Sequence, residues 1–166
     1  MKAHDYARWL WLSVAVVVAD QATKFAVEHL TEKEYVRVVI PGFFNVVHRH
    51  NPGVAFGLLA GNGAPWLTPL LIGFSCLAVA LLVWLLLSGH AGSPRGAVGV
   101  ALVVGGAAGN VVDRLLHGSV IDFLEFYYGN FHWPAFNVAD SAIVIGAGLV
   151  ILELLFDHRH KVSVEG

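Results

Sequence analysis

The chain has 166 residues, of which 57% are hydrophobic and 13% charged, with a formal net charge of -2 at pH 7. That balance is too apolar for an ordinary water-soluble domain, and the absence of a basic run interleaved with aromatics argues against a nucleic-acid partner. A mean hydropathy of +0.67 points to an integral membrane protein. The single cysteine, Cys76, lies inside an apolar run, so there is no disulfide frame or metal knuckle, and it reads as a small buried hydrophobe.

Residues 7–27 predict a first spanning helix, at about the 20 residues needed to cross a bilayer. A cleavable signal peptide is the rival reading, with Lys2 and Arg8 as its basic end, but Asp20, Gln21 and Lys24 follow without a small-x-small cleavage site. Asp20 and Lys24 stand at i,i+4, where an acid N-terminal to a lysine pairs well. That pair reads equally as a structural clamp at a helix end or as support for a site.

Residues 34–60 change character and predict a small β region outside the membrane. Two β-branched stretches flank Pro41-Gly42, a turn dipeptide with one fixed φ and one permissive residue. Asn51-Pro52-Gly53 makes a second turn, and the apolar residues 54–59 would dip back toward lipid or pack on the bundle. His48 and His50 flank Arg49, but two histidines without a carboxylate or cysteine at ligand spacing are weak evidence for metal. No metal and no cofactor is expected.

Residues 66–87 predict an uncharged second span bracketed by Trp66 and Trp84 as interface anchors. A Gly/Ser/Pro turn leads to a third span, residues 96–113, whose Gly105 and Gly109 allow close approach of a neighbouring helix. Packing does not explain Asn110, Asp113 and Arg114, which load the last turn with polar groups. Residues 115–137 are rich in aromatics, which favour the headgroup level, and read as a connector lying along the membrane surface with Asp122 embedded in it. Asn137 is an N-cap for the fourth span, residues 139–156, and Asp140 falls in the capping-box position; taken alone, Asp140 reads as a cap. The expected fold is an all-α polytopic membrane protein, one domain over 1–166, with four transmembrane helices, a small extracytoplasmic β-hairpin or sheet and an interfacial aromatic connector.

Four spans put both termini on one side. Lys2, Arg8, Arg95, Arg159 and Lys161 on that side outweigh Lys33, Arg37 and Arg49 in the longer first loop, which predicts cytoplasmic termini and places Asp122 and Asp140 at the outer face.

Charge beside hydrocarbon is costly and usually pairs, lines a wet cavity or does chemistry. The sequence holds no HExxH, no GxSxG elbow and no phosphate-binding loop. What remains is a pair of carboxylates, Asp122 and Asp140, separated by seventeen residues, enough for the chain to turn back and bring them together. Two aspartates in reach of one another share a proton, so that one can activate water while the other protonates a carbonyl oxygen. The residues alone leave open a proton-relay or transporter subunit using Asp20, Lys24, Asp113 and Arg114 as ion pairs, and an assembly subunit without chemistry.

Five blocks, DQATK at 20–24, NPGVAF at 51–56, GGAAGNVVDR at 105–114, GSVIDF at 118–123 and FNVADS at 136–141, resemble those of the bacterial lipoprotein signal peptidases (signal peptidase II), in the same order and at similar spacing. The resemblance implies a metal-independent aspartic endopeptidase of the bacterial inner membrane, with Asp122 and Asp140 as its catalytic residues. It would remove the signal peptide of a prolipoprotein just before a diacylglyceryl-modified cysteine. It further implies that Asp20, Lys24, Asn51, Gly106, Asn110, Arg114, Asn137 and Ala139 line or support the site, with Gly106 and Ala139 leaving room for the lipidated cysteine. The implied partners are the prolipoprotein and membrane lipid, with the enzyme a monomer.

Overall fold

The computed structural model describes residues 6–53 and 66–164, with side chains described as far as 156. The expected apolar segment at 54–59 lies outside these residues. Among the described residues four helices are long and apolar enough to cross a membrane: α1 (Leu10–Leu30), α2 (Leu67–Leu87), α3 (Pro94–His117) and α4 (Val138–Val164), the last through its portion Val138–Phe156. Between them lie four strands, β1 (Val36–Ile40), β2 (Phe44–Asn51), β3 (Val120–Tyr128) and β4 (Phe131–His132), in one antiparallel sheet of order β1-β2-β3-β4.

Helix α3 is the hub of the bundle. About two thirds of its spanning window is buried (67%), against 6% for α2, because its small residues let α1 and α4 come close on separate faces. A Cβ on Gly105 would come within 2.8 Å of the Ser13 carbonyl oxygen of α1, and one on Gly99 within 2.8 Å of the Gly146 carbonyl oxygen of α4. Gly106 meets the backbone of Ala139 in the same way. The outer faces of the other helices keep large apolar side chains exposed, among them Trp11, Phe25, Phe74, Leu81 and Val144, which is the pattern of a surface solvated by lipid. Trp66 and Trp84 are exposed at opposite ends of α2, as expected of interface anchors. Cys76 differs from expectation: it is exposed on that helix, which packs mainly through one edge against α3.

The helix ends follow local chemistry. Ser93 caps α3 by accepting from the Arg95 amide at 3.2 Å, with Pro94 in the first turn. At the other end Arg114 and His117 sit in the last turn and Gly118 closes the helix at φ 71°. The helix therefore runs four residues past the expected 113, and the polar residues Asn110, Asp113 and Arg114 belong to it. Glu153 of α4 accepts from the Ser93 amide at 2.7 Å and from its hydroxyl at 2.6 Å, tying the terminal-side ends of α3 and α4 together.

The sheet lies at the opposite end, beyond the C-terminal ends of α1 and α3 and the N-terminal ends of α2 and α4. The hairpin at Pro41-Gly42 forms as expected, with Gly42 at φ 78° and the Phe43 amide bonded to the Ile40 carbonyl at 3.1 Å. Within the stretch expected to be an interfacial connector, Val120–Tyr128 form a nine-residue strand, β3, paired with β2 through Val120 to Phe126 and with β4 through Tyr127 and Tyr128. Aromatic and β-branched residues suit a pleated, half-buried surface as well as a headgroup layer, and here pairing with β2 decides between them. Glu125 of β3, 1% exposed, takes hydrogen bonds or ion pairs from Asn45 and Arg49 of β2 and from His132 of β4, which locks the register. Phe136 then pairs with Leu124 through two backbone bonds of 2.9 Å, so the chain enters α4 directly beside β3.

Candidate active site

The site is built on a buried platform of charge at the sheet end of the bundle. Lys24 of α1, 2% exposed, places its ammonium 2.8 Å from Asp20 and 2.7 Å from Asp113 of α3. A buried ion pair of this kind holds together only when the remaining lone pairs are satisfied. They are: Asp20 Oδ1 accepts from the Ala139 amide at 2.9 Å, Asp113 Oδ2 from the Ile121 amide at 3.0 Å, and Asp113 Oδ1 from Gln21 Nε2 at 2.8 Å. Two of these bonds land next to the candidate aspartates. Asp113 fixes the residue before Asp122 on β3, and Asp20 fixes the residue before Asp140 on α4. The i,i+4 pair read from sequence is thus half of a network whose other members, Asp113 and Gln21, sequence reading does not single out as site residues. The available signal is an acid in the last turn of an otherwise apolar helix, which demands a cation.

Above this platform three asparagines hold the two carboxylates. Asn137 Nδ2 donates to Asp122 Oδ1 at 2.8 Å, while Asn137 Oδ1 accepts from the Asp140 amide at 2.9 Å. The Asn137 amide donates back to Asp140 Oδ2 at 3.3 Å, completing a reciprocal cap. The cap and the site are therefore one structure. Asn51, at the end of β2, donates to Asp122 Oδ2 at 2.9 Å, and Asn110 donates to Asp140 Oδ1 at 2.8 Å. Asn110 Oδ1 in turn accepts from Lys24 Nζ at 3.1 Å, which links platform and carboxylates.

Asp122 is 2% exposed. Burial pushes its carboxyl up to about 7; the Asn51 bond lowers it, the charge of Asp140 raises it, and Asn137 and Lys24 pull it down. One carboxylate able to hold a proton near neutrality, beside a second whose charge it feels, is the electrostatic arrangement of a proton-sharing dyad.

The other expected residues fall around this centre. Arg114 places Nη1 3.4 Å from the Asn110 carbonyl, while its buried Nε makes no hydrogen bond among the described residues. Gly106 and Ala139 pack against each other across the α3–α4 contact, with Ala139 fully buried, so they seat α4 on α3. Open space adjoins Asp140. A cavity of about 840 Å³ there is lined by Phe43, Phe126, Trp133, Phe136 and Val144, with Asp140 and Ser141 as its polar corner. Its wall passes onto Val144 and Ile145 of α4, which are 71% and 59% exposed on the lipid-facing side.

Asp20, Lys24, Glu28, Asp113, Arg114 and Asp140 lie at the sheet end of their helices, and Glu153, the acid within the fourth span toward the other end, is engaged with Ser93. A proton relay would need ionisable groups through the depth of the bundle.

A family model described as signal peptidase (SPase) II matches residues 12–156. The lipoprotein signal peptidase of Aeromonas hydrophila is 45% identical over 156 residues, covering 93% of this chain and 92% of that protein. That of Solibacter usitatus is 41% identical over 159 residues, covering 95% and 97%. Among solved structures, a bacterial membrane enzyme determined by the in meso method at 2.3 Å superposes with a TM-score of 0.79 at 30% identity, over 93% of this chain and 92% of that one. A second, determined at 1.9 Å, gives 0.73 at 29% identity, over 90% and 93%. The buried acids, their asparagine clamps and these likenesses lead to one conclusion: the chain belongs to the signal peptidase II family.

Proposed function

We propose that Asp122 and Asp140 hydrolyse the peptide bond that joins a signal peptide to the diacylglyceryl-modified cysteine of a prolipoprotein. The observation that carries the reading is that a strand and a helix each deliver one carboxylate to the same asparagine, Asn137, whose side-chain amide donates to Asp122 and whose backbone amide donates to Asp140, at the polar corner of an apolar cavity. Relatives at 41–45% identity bear the name lipoprotein signal peptidase, which supports the substrate class.

The dyad holds one proton. The ionised carboxylate takes a proton from water as the water oxygen bonds to the scissile carbonyl carbon, and the protonated carboxyl gives its proton to the carbonyl oxygen. When the tetrahedral intermediate collapses, the C–N bond breaks, the amine leaves with a proton returned from the dyad, and a carboxylic acid remains on the signal peptide. Arg114, with a buried N–H seeking an acceptor, suits a substrate carbonyl in this position. Asn51 and Asn110 keep each carboxylate turned toward the shared water.

The cavity continues onto the lipid-facing side of α4, so a substrate whose acyl chains and signal helix lie in the bilayer enters sideways. The termini are cytoplasmic and the sheet extracytoplasmic, as the distribution of Lys and Arg favours.

Incubating the purified protein with a diacylglyceryl-modified prolipoprotein and with its unlipidated precursor tests this reading. Cleavage confined to the lipidated form is expected, with the modified cysteine as the new N-terminus. Equal cleavage of both, or of neither, would reject it.

A further inference from the structure

The histidines that lacked a carboxylate in the sequence acquire one in the fold. Glu28, in the last turn of α1, places Oε2 3.1 Å from His48 Nε2 and 3.3 Å from His50 Nε2, both on β2. One ligand atom from each of the three residues lies within 4.8 Å of the others. Four ligands at the usual zinc distances stand about 3.3 Å apart around a tetrahedral ion, close to the two separations seen.

The outer nitrogens are also held. His50 Nδ1 lies 3.1 Å from Ser119 Oγ, and His48 Nδ1 lies 3.0 Å from Thr31 Oγ1. A hydroxyl or carbonyl on the outer nitrogen is what orients metal-binding imidazoles. At His48 the tautomer follows from hydrogen-bond counting. Thr31 has one hydroxyl proton, and it goes to the Val27 carbonyl at 2.7 Å, so Oγ1 must accept from His48 Nδ1–H. In a neutral His48 the lone pair of Nε2 then points at a carboxylate oxygen. Such a contact needs a cation between the two atoms or a second proton on the ring. His50 Nε2 shows the same deficit, being buried without a hydrogen bond among the described residues although it faces the same oxygen.

We propose that Glu28, His48 and His50 form a binding site for a divalent transition metal of the zinc type, with the fourth position left to water on the exposed side of Glu28. The ion pins β2 to the end of α1. His48 is buried, and His50 precedes Asn51, the residue that holds Asp122, so the clasp steadies the strand at the edge of the dyad without entering the chemistry.

The test uses full-length protein in detergent, with any affinity tag removed and metal stripped by a chelator. Titration with Zn²⁺ should show one saturable site and raise the thermal midpoint, as any ligand selective for the folded state does. Glu28→Gln and His48→Gln should each weaken that site at least about 10-fold, the scale on which even supporting contacts act. His90→Gln, at the opposite end of the bundle, should leave it unchanged. Co²⁺ bound to the unmodified protein should give the ligand-field absorption of a four-coordinate nitrogen and oxygen site, which keeps the test decisive if a variant misfolds. No saturable site, affinity unchanged in both variants, or a Co²⁺ spectrum of the hexaaqua ion would overturn the proposal and leave His48 as a protonated partner of Glu28.

Discussion

At the scale of single residues, the account turns on how a carboxyl is persuaded to keep a proton at neutral pH. Burial holds Asp122 up to about 7, against about 3.8 for a free side chain. Turnover at limiting substrate should therefore fall as pH rises through about 7 and the free enzyme loses the proton it donates; a rate that stays level from pH 6 to pH 9 would contradict this. The same shift acts on stability with a definite sign. The folded state binds this proton more tightly than the unfolded chain, so its contribution is complete below the unfolded value and is lost as pH rises through the folded one. Thermal midpoints should accordingly drift down between pH 5 and pH 8 in the unmodified protein, and less so in Asp122→Asn. Asn137 is the other residue on which much converges. Asn137→Ala removes a helix cap, worth about 1 kcal/mol, and also frees Asp122 Oδ1, so turnover should fall further than the loss of stability accounts for. Measuring activity well below the unfolding midpoint separates the two effects.

At the scale of elements, α1 and α3 are joined by small-residue packing at Gly105 and, at the sheet end, by buried charge. Lys24→Met leaves Asp20 and Asp113 buried without a cation, and breaking a buried pair in this way costs about 3–5 kcal/mol. Its midpoint should drop sharply, with loss of activity through Asn110; an unaltered midpoint would show that the aspartates are neutral in the fold. Gly106→Leu drives a side chain into the Ala139 backbone and should destabilise the α3–α4 contact by about 1–3 kcal/mol. Such couplings also mark how far sequence reading reached. The apolar runs, the Pro41-Gly42 turn, the i,i+4 pair and the Asn137–Asp140 cap are local, and all of them could be seen from spacing. Strand β3 is hidden because its composition, VIDFLEFYY, fits a membrane interface as well as a sheet, and its pairing with β2 joins residues 69 to 82 positions apart. Asp113 with Lys24, Glu125 with Asn45 and Glu28 with His48 are likewise invisible to periodicity, since each partner lies on another element. Helix α3 extends to His117, and the polar residues of its last turns are the part that the helix delivers to the site.

At the scale of the whole molecule, one end of the bundle carries the sheet, the platform and the dyad, and the other carries mainly packing. That polarity fits an enzyme working at one membrane surface on a substrate that never leaves the bilayer. Tyr128, 84% exposed at the far end of β3, offers a check on orientation: Tyr128→Cys in a chain whose Cys76 has been replaced should react with a membrane-impermeant thiol reagent added outside intact cells. Reaction only after the membrane is opened would invert the topology. The most direct measurement concerns the two acids themselves. Asp122→Asn and Asp140→Asn, purified in detergent and shown by thermal unfolding to be folded, should each cleave a lipidated prolipoprotein at least about 100-fold more slowly than the unmodified protein, the usual scale for a lost general acid or base. Either variant retaining half the original turnover would contradict the assignment.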